Sequence, residues 1–210
     1  VCLHVMLVSL LMRYSPEELK LVLVDPKSVE FRRYEHIPHL LVDEIITEPK
    51  KALAVLQWAI EEMERRYGMF EQAGSFIDGI SAYNQHIASD TVPKMPKIVI
   101  IIDELADLML NAKKDIEDKI QSLTQKARAA GIHIIVATQR PSADIITGAI
   151  KSNLSTRIAF AVPTDVDSRV ILDQTGAQKL LGKGDFLYTM PGINTPVRVQ
   201  SPVISVEESQ

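Results

Sequence analysis

Four nearly continuous apolar runs divide the chain: "KLVLVD" (20–25), "KIVIIID" (97–103), "IHIIVAT" (132–138) and "TRIAFAV" (156–162). Each is short, rich in β-branched residues and bounded by polar ones, the pattern of a strand buried on both faces. Between them the apolar period lengthens. Leu53, Leu56, Ile60, Met63, Tyr67 and Phe70 recur at helical spacing over 49–73, with Pro49 in the first turn and Gly74 as a stop. Ile116, Ile120, Leu123, Ala127 and Ala130 mark a second helix, closed by Gly131. Further helices are expected at about 1–14, 78–88, 144–151 and 166–174, and two strands at about 185–190 and 196–200, turned by "PGINT".

Buried strands alternating with helices predict an α/β fold, a mostly parallel sheet flanked by helices, followed by a C-terminal β-hairpin. Right-handed crossovers bring the carboxyl ends of parallel strands to one edge, where such folds bind ligands. Three of the runs end in polar residues: Asp25, then Asp103 with Glu104, then Thr138 with Gln139. If those strands are neighbours, the polar ends converge.

The adjacent acids in "IVIIIDELADL" admit two readings. Carboxylates favour the positive end of the helix that "ELADLML" begins. An apolar strand with Asp-Glu at its exit is also the Walker B arrangement, in which the first acid holds Mg²⁺ through water and the second polarises a water for attack on a phosphate. Asp107 is a weaker choice for the second role. A Walker A loop, G-x-x-x-x-G-K-[ST], would complete such a site. Within these residues only "GAQKLLGKGD" (176–185) approaches it, with one residue too many between the glycines and Gly184 in place of the hydroxyl, so it reads as a turn into a strand.

Thr138 and Gln139 fit either a polar strand end or a sensor of the terminal phosphate, and Arg140 follows them in a loop. Arg128, in the last turn of its expected helix, is explained by the helix dipole alone. Arg157 and Arg169 lie among Asp165, Asp167 and Asp173, which favours ion pairing. The histidines show no metal-ligand spacing.

Composition changes little in this picture. The 210 residues are 46% apolar and 24% charged, with a net charge of −4, which argues against a uniformly basic surface but not against a local one. Cys2 is the single cysteine, so no disulfide can form within the chain. The apolar "VCLHVMLVSLLM" is too short to cross a bilayer, contains His4, and reads as a helix entered partway through a domain.

The segments "LVLVDPKSVEF", "IPHLL", "MERRYGMF", "IVIIIDELADLM", "QKARAAGIHIIVATQRPSADIITGAIKSNLSTRIAF", "DSRVILDQTGAQKLLGKGDFLY" and "PVRVQ" closely resemble the motor domain of the FtsK/SpoIIIE family of bacterial DNA translocases. The resemblance covers nearly the whole chain. It implies one RecA-like P-loop ATPase domain over 1–210 that uses ATP and Mg²⁺, forms a homohexameric ring and moves double-stranded DNA during chromosome segregation at division or sporulation. In the family a Walker A loop directly precedes a helix resembling "VCLHVMLVSLL", so this stretch is expected to begin just past it. A membrane anchor and a winged-helix module belong to other regions of family members, and the motor is cytoplasmic.

Residue by residue, the resemblance makes Asp103 the Mg²⁺-linked carboxylate, Glu104 the water-activating base, and Thr138 and Gln139 nucleotide contacts, Gln139 sensing the terminal phosphate. Arg128 becomes a trans-acting finger. Arg140 and Lys151, with the loop 163–168, become contacts to the DNA backbone, although Asp165 stands where some relatives carry a lysine or a neutral residue. A related ring ATPase of secretion or conjugation, or a non-catalytic ring-interface module, is the alternative. Each phosphate hydrogen bond a P-loop supplies is worth about 1.5–3 kcal/mol, so these 210 residues alone are expected to be inactive and to bind ATP far more weakly than micromolar. Isothermal titration of the 210-residue chain with ATP checks this.

Overall fold

The computed structural model describes residues 2–205, which form two compact units: 13–138, and 2–12 together with 139–205. In chain order the elements are α1 (Cys2–Leu11), β1 (Leu19–Val24), α2 (Pro49–Ala73), α3 (Ile80–His86), β2 (Lys97–Ile102), α4 (Leu105–Lys126), β3 (Ile132–Val136), α5 (Gly148–Asn153), β4 (Arg157–Phe160), α6 (Asp165–Leu172), β5 (Asp185–Thr189) and β6 (Val197–Gln200).

Within 13–138, the three apolar runs form a parallel sheet in the order β1-β2-β3. Val24 pairs with Ile102 and Ile102 with Val136, so the strands end level. Leu21, Ile100, Ile101 and Ile102 are completely buried, as unbroken aliphatic strands require. The outer edge of β1 is covered by the segment 39–46, whose backbone exchanges hydrogen bonds of 2.8–2.9 Å with Leu21, Leu23 and Asp25. That edge is thereby closed to further pairing.

α2 packs against α4, but its buried face is turned from the expected stripe. Leu56, Met63 and Phe70 are buried as expected, whereas Leu53, Ile60 and Tyr67 sit on the flank and Ala52, Ala59 and Arg66 complete the core. Two alanines one heptad apart let the helix approach closely, a signal weaker in sequence than large aliphatics. Arg66, 2% exposed, donates to Glu62 Oε1 (2.7 Å) and to the carbonyls of Pro96 (2.9 Å) and Ala130 (2.8 Å), which immediately precede β2 and the turn into β3. Burial makes its guanidinium easier to deprotonate, opposed by the Glu62 carboxylate. α4 is broken at Ala112, whose φ of −157° and ψ of 51° are not helical. Beyond the break, Lys119 reaches Gln57 Oε1 (2.6 Å), and Tyr67 of α2 donates to the Lys126 carbonyl (2.6 Å).

In the other unit the apolar run 156–162 does not extend the parallel sheet. β4 pairs antiparallel with β5, and β5 with β6, in the order β4-β5-β6, so the expected hairpin gains a third strand. The Phe160 and Phe186 rings, paired in register, lie 5.3 Å apart. "GKGD" is the turn into β5 that its glycines suggest: Gly182 and Gly184 have φ of 76° and 93°, and a Cβ on Gly184 would lie 2.8 Å from the Ser201 carbonyl.

Several boundaries move. α1 stops at Leu11, short of 14, and the helix expected at 144–151 starts only at Gly148, where the Thr147 side chain accepts from Ile150 N–H. The loop expected over 163–168 is instead the first turn of α6, closed by reciprocal hydrogen bonds between Thr164 and Asp167. α4 ends at Lys126, which leaves Arg128 in the turn after the helix rather than in its last turn.

Replacing Arg66 by Ala leaves two buried carbonyls without their donor and opens a cavity, while Glu62 keeps Arg65, and is expected to destabilise the protein by about 3–5 kcal/mol. Arg65→Ala, which removes an exposed partner of the same glutamate, should lose under about 1 kcal/mol. Urea denaturation of both variants measures the difference.

Candidate functional site

The level ends of β1, β2 and β3 set Asp25, Asp103, Glu104 and Thr138 side by side. Asp103 N–H donates to the Val24 carbonyl (3.0 Å), Ala137 N–H to Ile102 (2.8 Å) and Leu105 N–H to Ala137 (2.8 Å), so the pairing continues one step past the strands. The sheet therefore aims all four polar groups at one rim.

Each acid is treated differently. Asp25 is fully buried and accepts four backbone N–H groups: Lys27 on Oδ1 (3.1 Å), and Val29 (2.8 Å), Glu30 (2.8 Å) and Phe31 (3.1 Å) on Oδ2. It is saturated by the loop it folds, and its work is structural. Glu104, with no exposed surface, accepts on Oε1 from Ala106 N–H (3.2 Å) and the Thr138 hydroxyl (2.5 Å), while Oε2 faces the Lys27 ammonium at 3.7 Å. It caps α4, as the helix-start reading of the Asp-Glu pair expects.

Asp103 is the contrasting case. It is 8% exposed, yet its Oδ2 has no hydrogen-bond partner among the described residues. Burial, reinforced by the neighbouring Asp25, Glu30 and Glu104 and only partly relieved by Lys27, pushes its carboxyl up to about 6. A buried carboxylate oxygen left without a donor fits a hard cation, and Mg²⁺ is commonly held by one or two carboxylates together with waters and phosphate oxygens. Among the described residues no cluster of three His, Cys, Asp or Glu side chains could hold a metal by itself.

The other expected site residues are dispersed. Gln139 and Arg140 follow Thr138 directly, are exposed, and belong to the second unit. Lys151, expected to face DNA, donates to Asp173 Oδ1 (2.6 Å), while Arg157 donates to Asp173 Oδ2 (2.6 Å) and to the Ile171 carbonyl (3.0 Å). Hydrogen bonds from Lys151 and then Arg157 hold Asp173 below the usual carboxylate range. Arg169 pairs with Asp165 at 3.2 Å, as the surrounding acids suggested. Arg128 is exposed before β3, at the opposite end of the strands from Asp103, about 17–20 Å away by strand length. Sequence reasoning passed over Lys27, whose only signal is its place two residues after a strand-end aspartate.

The FtsK/SpoIIIE family model matches residues 1–143, more than half of the chain. The chain belongs to the FtsK/SpoIIIE family. It is 53% identical over 209 residues to the DNA translocase FtsK of Clostridium tetani, covering 99% of this chain and 28% of that protein. It is 52% identical to the DNA translocase SftA of Bacillus subtilis, covering 99% and 22%. The chain thus spans about a quarter of the length of these family relatives. Among solved structures, the pCW3 conjugation coupling protein TcpA, in a monomer form with ATPγS, superposes with a TM-score of 0.78 at 29% identity, over 94% of this chain and 56% of that one. The α/β fold is that of the P-loop ATPase motor domains, in agreement with the family assignment.

The upward displacement of Asp103 means that folding favours its protonated form. Its contribution to stability is greatest below about 4 and is lost as the pH rises to about 6. Asp103→Asn removes that loss, so without added metal the variant should be more stable than the native protein at pH 7 by up to about 3 kcal/mol, with the difference vanishing near pH 4. Chemical denaturation across pH 4–8 in chelator tests the sign and the window.

Proposed function

We propose that this chain is part of the motor of an ATP-driven translocase that moves double-stranded DNA in chromosome segregation. The observation that carries the reading is the Asp103–Glu104 pair at the end of the central strand, one acid with a bare buried oxygen and the other held by Thr138. The names of the half-identical relatives supply the substrate class.

In this reading Asp103 holds Mg²⁺, which when bound neutralises charge on the nucleotide phosphates. Glu104 orients and deprotonates the attacking water, a task for which its carboxylate must expose an oxygen. Thr138 holds Oε1 of that carboxylate, which leaves Oε2, the oxygen facing Lys27, to meet the water. Gln139, next in the chain, senses the terminal phosphate. Arg128 acts on a neighbouring copy in a homohexamer, since its end of the sheet is remote from its own acids. Arg140 meets the phosphate backbone of DNA. Lys151 does so only by leaving Asp173, which makes it the weaker contact. Backbone contacts of this kind carry affinity without reading sequence.

No helix among the described residues is long and apolar enough to cross a membrane. We place this motor on the cytoplasmic side of a protein anchored elsewhere along its length, as the family assignment suggests. Likeness to a conjugation coupling protein keeps a second reading in view, a related ring ATPase of conjugation.

In the intact protein, Glu104→Gln should lower ATP turnover about 10²–10⁴-fold while leaving duplex binding within about twofold. Coupled ATPase assays and fluorescence anisotropy measure the two. Displacement of a triplex-forming strand from duplex DNA separates the duplex motor from an enzyme that acts only on single strands.

A further inference from the structure

The base proposed above needs an oxygen open to water, and the structure shows Glu104 withdrawn. Its carboxylate has no exposed surface; Oε1 is taken by Ala106 N–H and the Thr138 hydroxyl, and Oε2 faces Lys27 at 3.7 Å. These three contacts are not equivalent. Ala106 N–H belongs to the backbone of the first turn of α4 and stays where that helix holds it, and Thr138, on its short side chain two residues past β3, remains beside Glu104. Lys27 is bound by nothing so rigid. Its side chain is 42% exposed, although the glutamate it meets is wholly buried.

Its backbone, by contrast, is fixed. Asp25 gathers the N–H groups of Lys27, Val29, Glu30 and Phe31, and Ser28 between them takes a φ of 55°, a left-handed conformation a serine seldom adopts. The loop therefore delivers an ammonium on a flexible stem from a stationary anchor. Only side-chain torsions are needed to move the charge from Glu104 towards solvent.

We propose that Lys27 is a positioning residue that latches Glu104 in its withdrawn setting, and that a phosphate anion competing for the Lys27 ammonium releases the carboxylate for catalysis. The proposal rests on the reading of Glu104 as the water-activating base. Lys27 touches neither water nor the reacting phosphorus in this scheme; it acts through Glu104. A phosphate anion competes with the buried carboxylate for a half-exposed ammonium because the ammonium need not be buried to meet it, and a duplex presents many such charges together. The nucleotide is present in every turnover, so the anion that sets the rate is supplied by DNA.

The test uses the intact protein with Lys27→Ala and Lys27→Arg. Without DNA, Lys27→Ala should raise kcat for ATP about threefold to tenfold, the size expected for one charged contact, with KM within about twofold, while Lys27→Arg stays near the native value. A gain confined to the DNA-free reaction, with DNA stimulation reduced by the same factor, supports release by a DNA phosphate; an equal gain with and without DNA overturns it. A kcat that is unchanged or lowered in both conditions overturns the latch. Hydrogen–deuterium exchange without nucleotide judges it separately from turnover: in Lys27→Ala, the peptide spanning 104–109 should exchange about threefold to tenfold faster as the Ala106 amide loses its acceptor, with 19–24 and 97–102 unchanged. Unchanged exchange at 104–109, or a rise across all three segments, rejects the latch whatever the ATPase rates. Conversely, full turnover in Glu104→Gln refutes the catalytic reading and leaves the exchange result to stand for the latch alone.

Discussion

Parallel pairing of β1, β2 and β3 in one register, Val24 beside Ile102 beside Val136, is the constraint from which the chemistry of this chain follows. Because these strands are apolar on both faces, what marks the alignment is their polar ends, which a shift of one residue would draw into the sheet or push out of line. Once the strands finish together, Asp25, Asp103 and Glu104 must share a small, largely dehydrated space. The fold answers this crowding differently for each acid: four amides for Asp25, a hydroxyl, an amide and an ammonium for Glu104, and for one oxygen of Asp103 nothing. A group kept electrostatically frustrated inside an otherwise satisfied framework is a frequent mark of a site that awaits a ligand.

The opposite end of the same strands shows the contrary treatment. There Arg66 binds the carbonyls just before β2 and the turn into β3, while Glu62 balances its charge. A fully paired buried arginine adds little net stability over an apolar side chain, but it fixes α2 to two strand starts at once. The sheet is thus pinned by a fully paired charge at one end and left electrostatically strained at the other.

Much of this was readable from residue order. Unbroken aliphatic runs specify buried parallel strands, and the run of α2 from Pro49 to Gly74 carries its own start and stop signals. The location of the acids followed from strand polarity alone. What the pattern could not convey depends on contacts between residues far apart in the chain. Arg66 looks like a surface residue until the carbonyls it serves are known, and Lys27 looks like a loop charge until Asp25 is seen to fold the loop around itself. The strand "RIAF" was apolar enough for the parallel sheet, and only its pairing with β5 assigns it elsewhere. Asp173, at a φ of 60° beyond α6, holds Arg157, as the surrounding acids suggested, and also Lys151, a pairing the residue order did not reveal.

The break in α4 at Ala112 gives the helix two allegiances. Its first turns are rooted at the acid rim through Glu104 and the Leu105 amide, whereas its later turns are tied to α2 by Lys119 and by the carbonyl that Tyr67 grips. A continuous rod would carry any tilt at one end to the other. With the rod interrupted at Ala112, a tilt of the turns nearest the acid rim need not be passed on to the turns tied to α2.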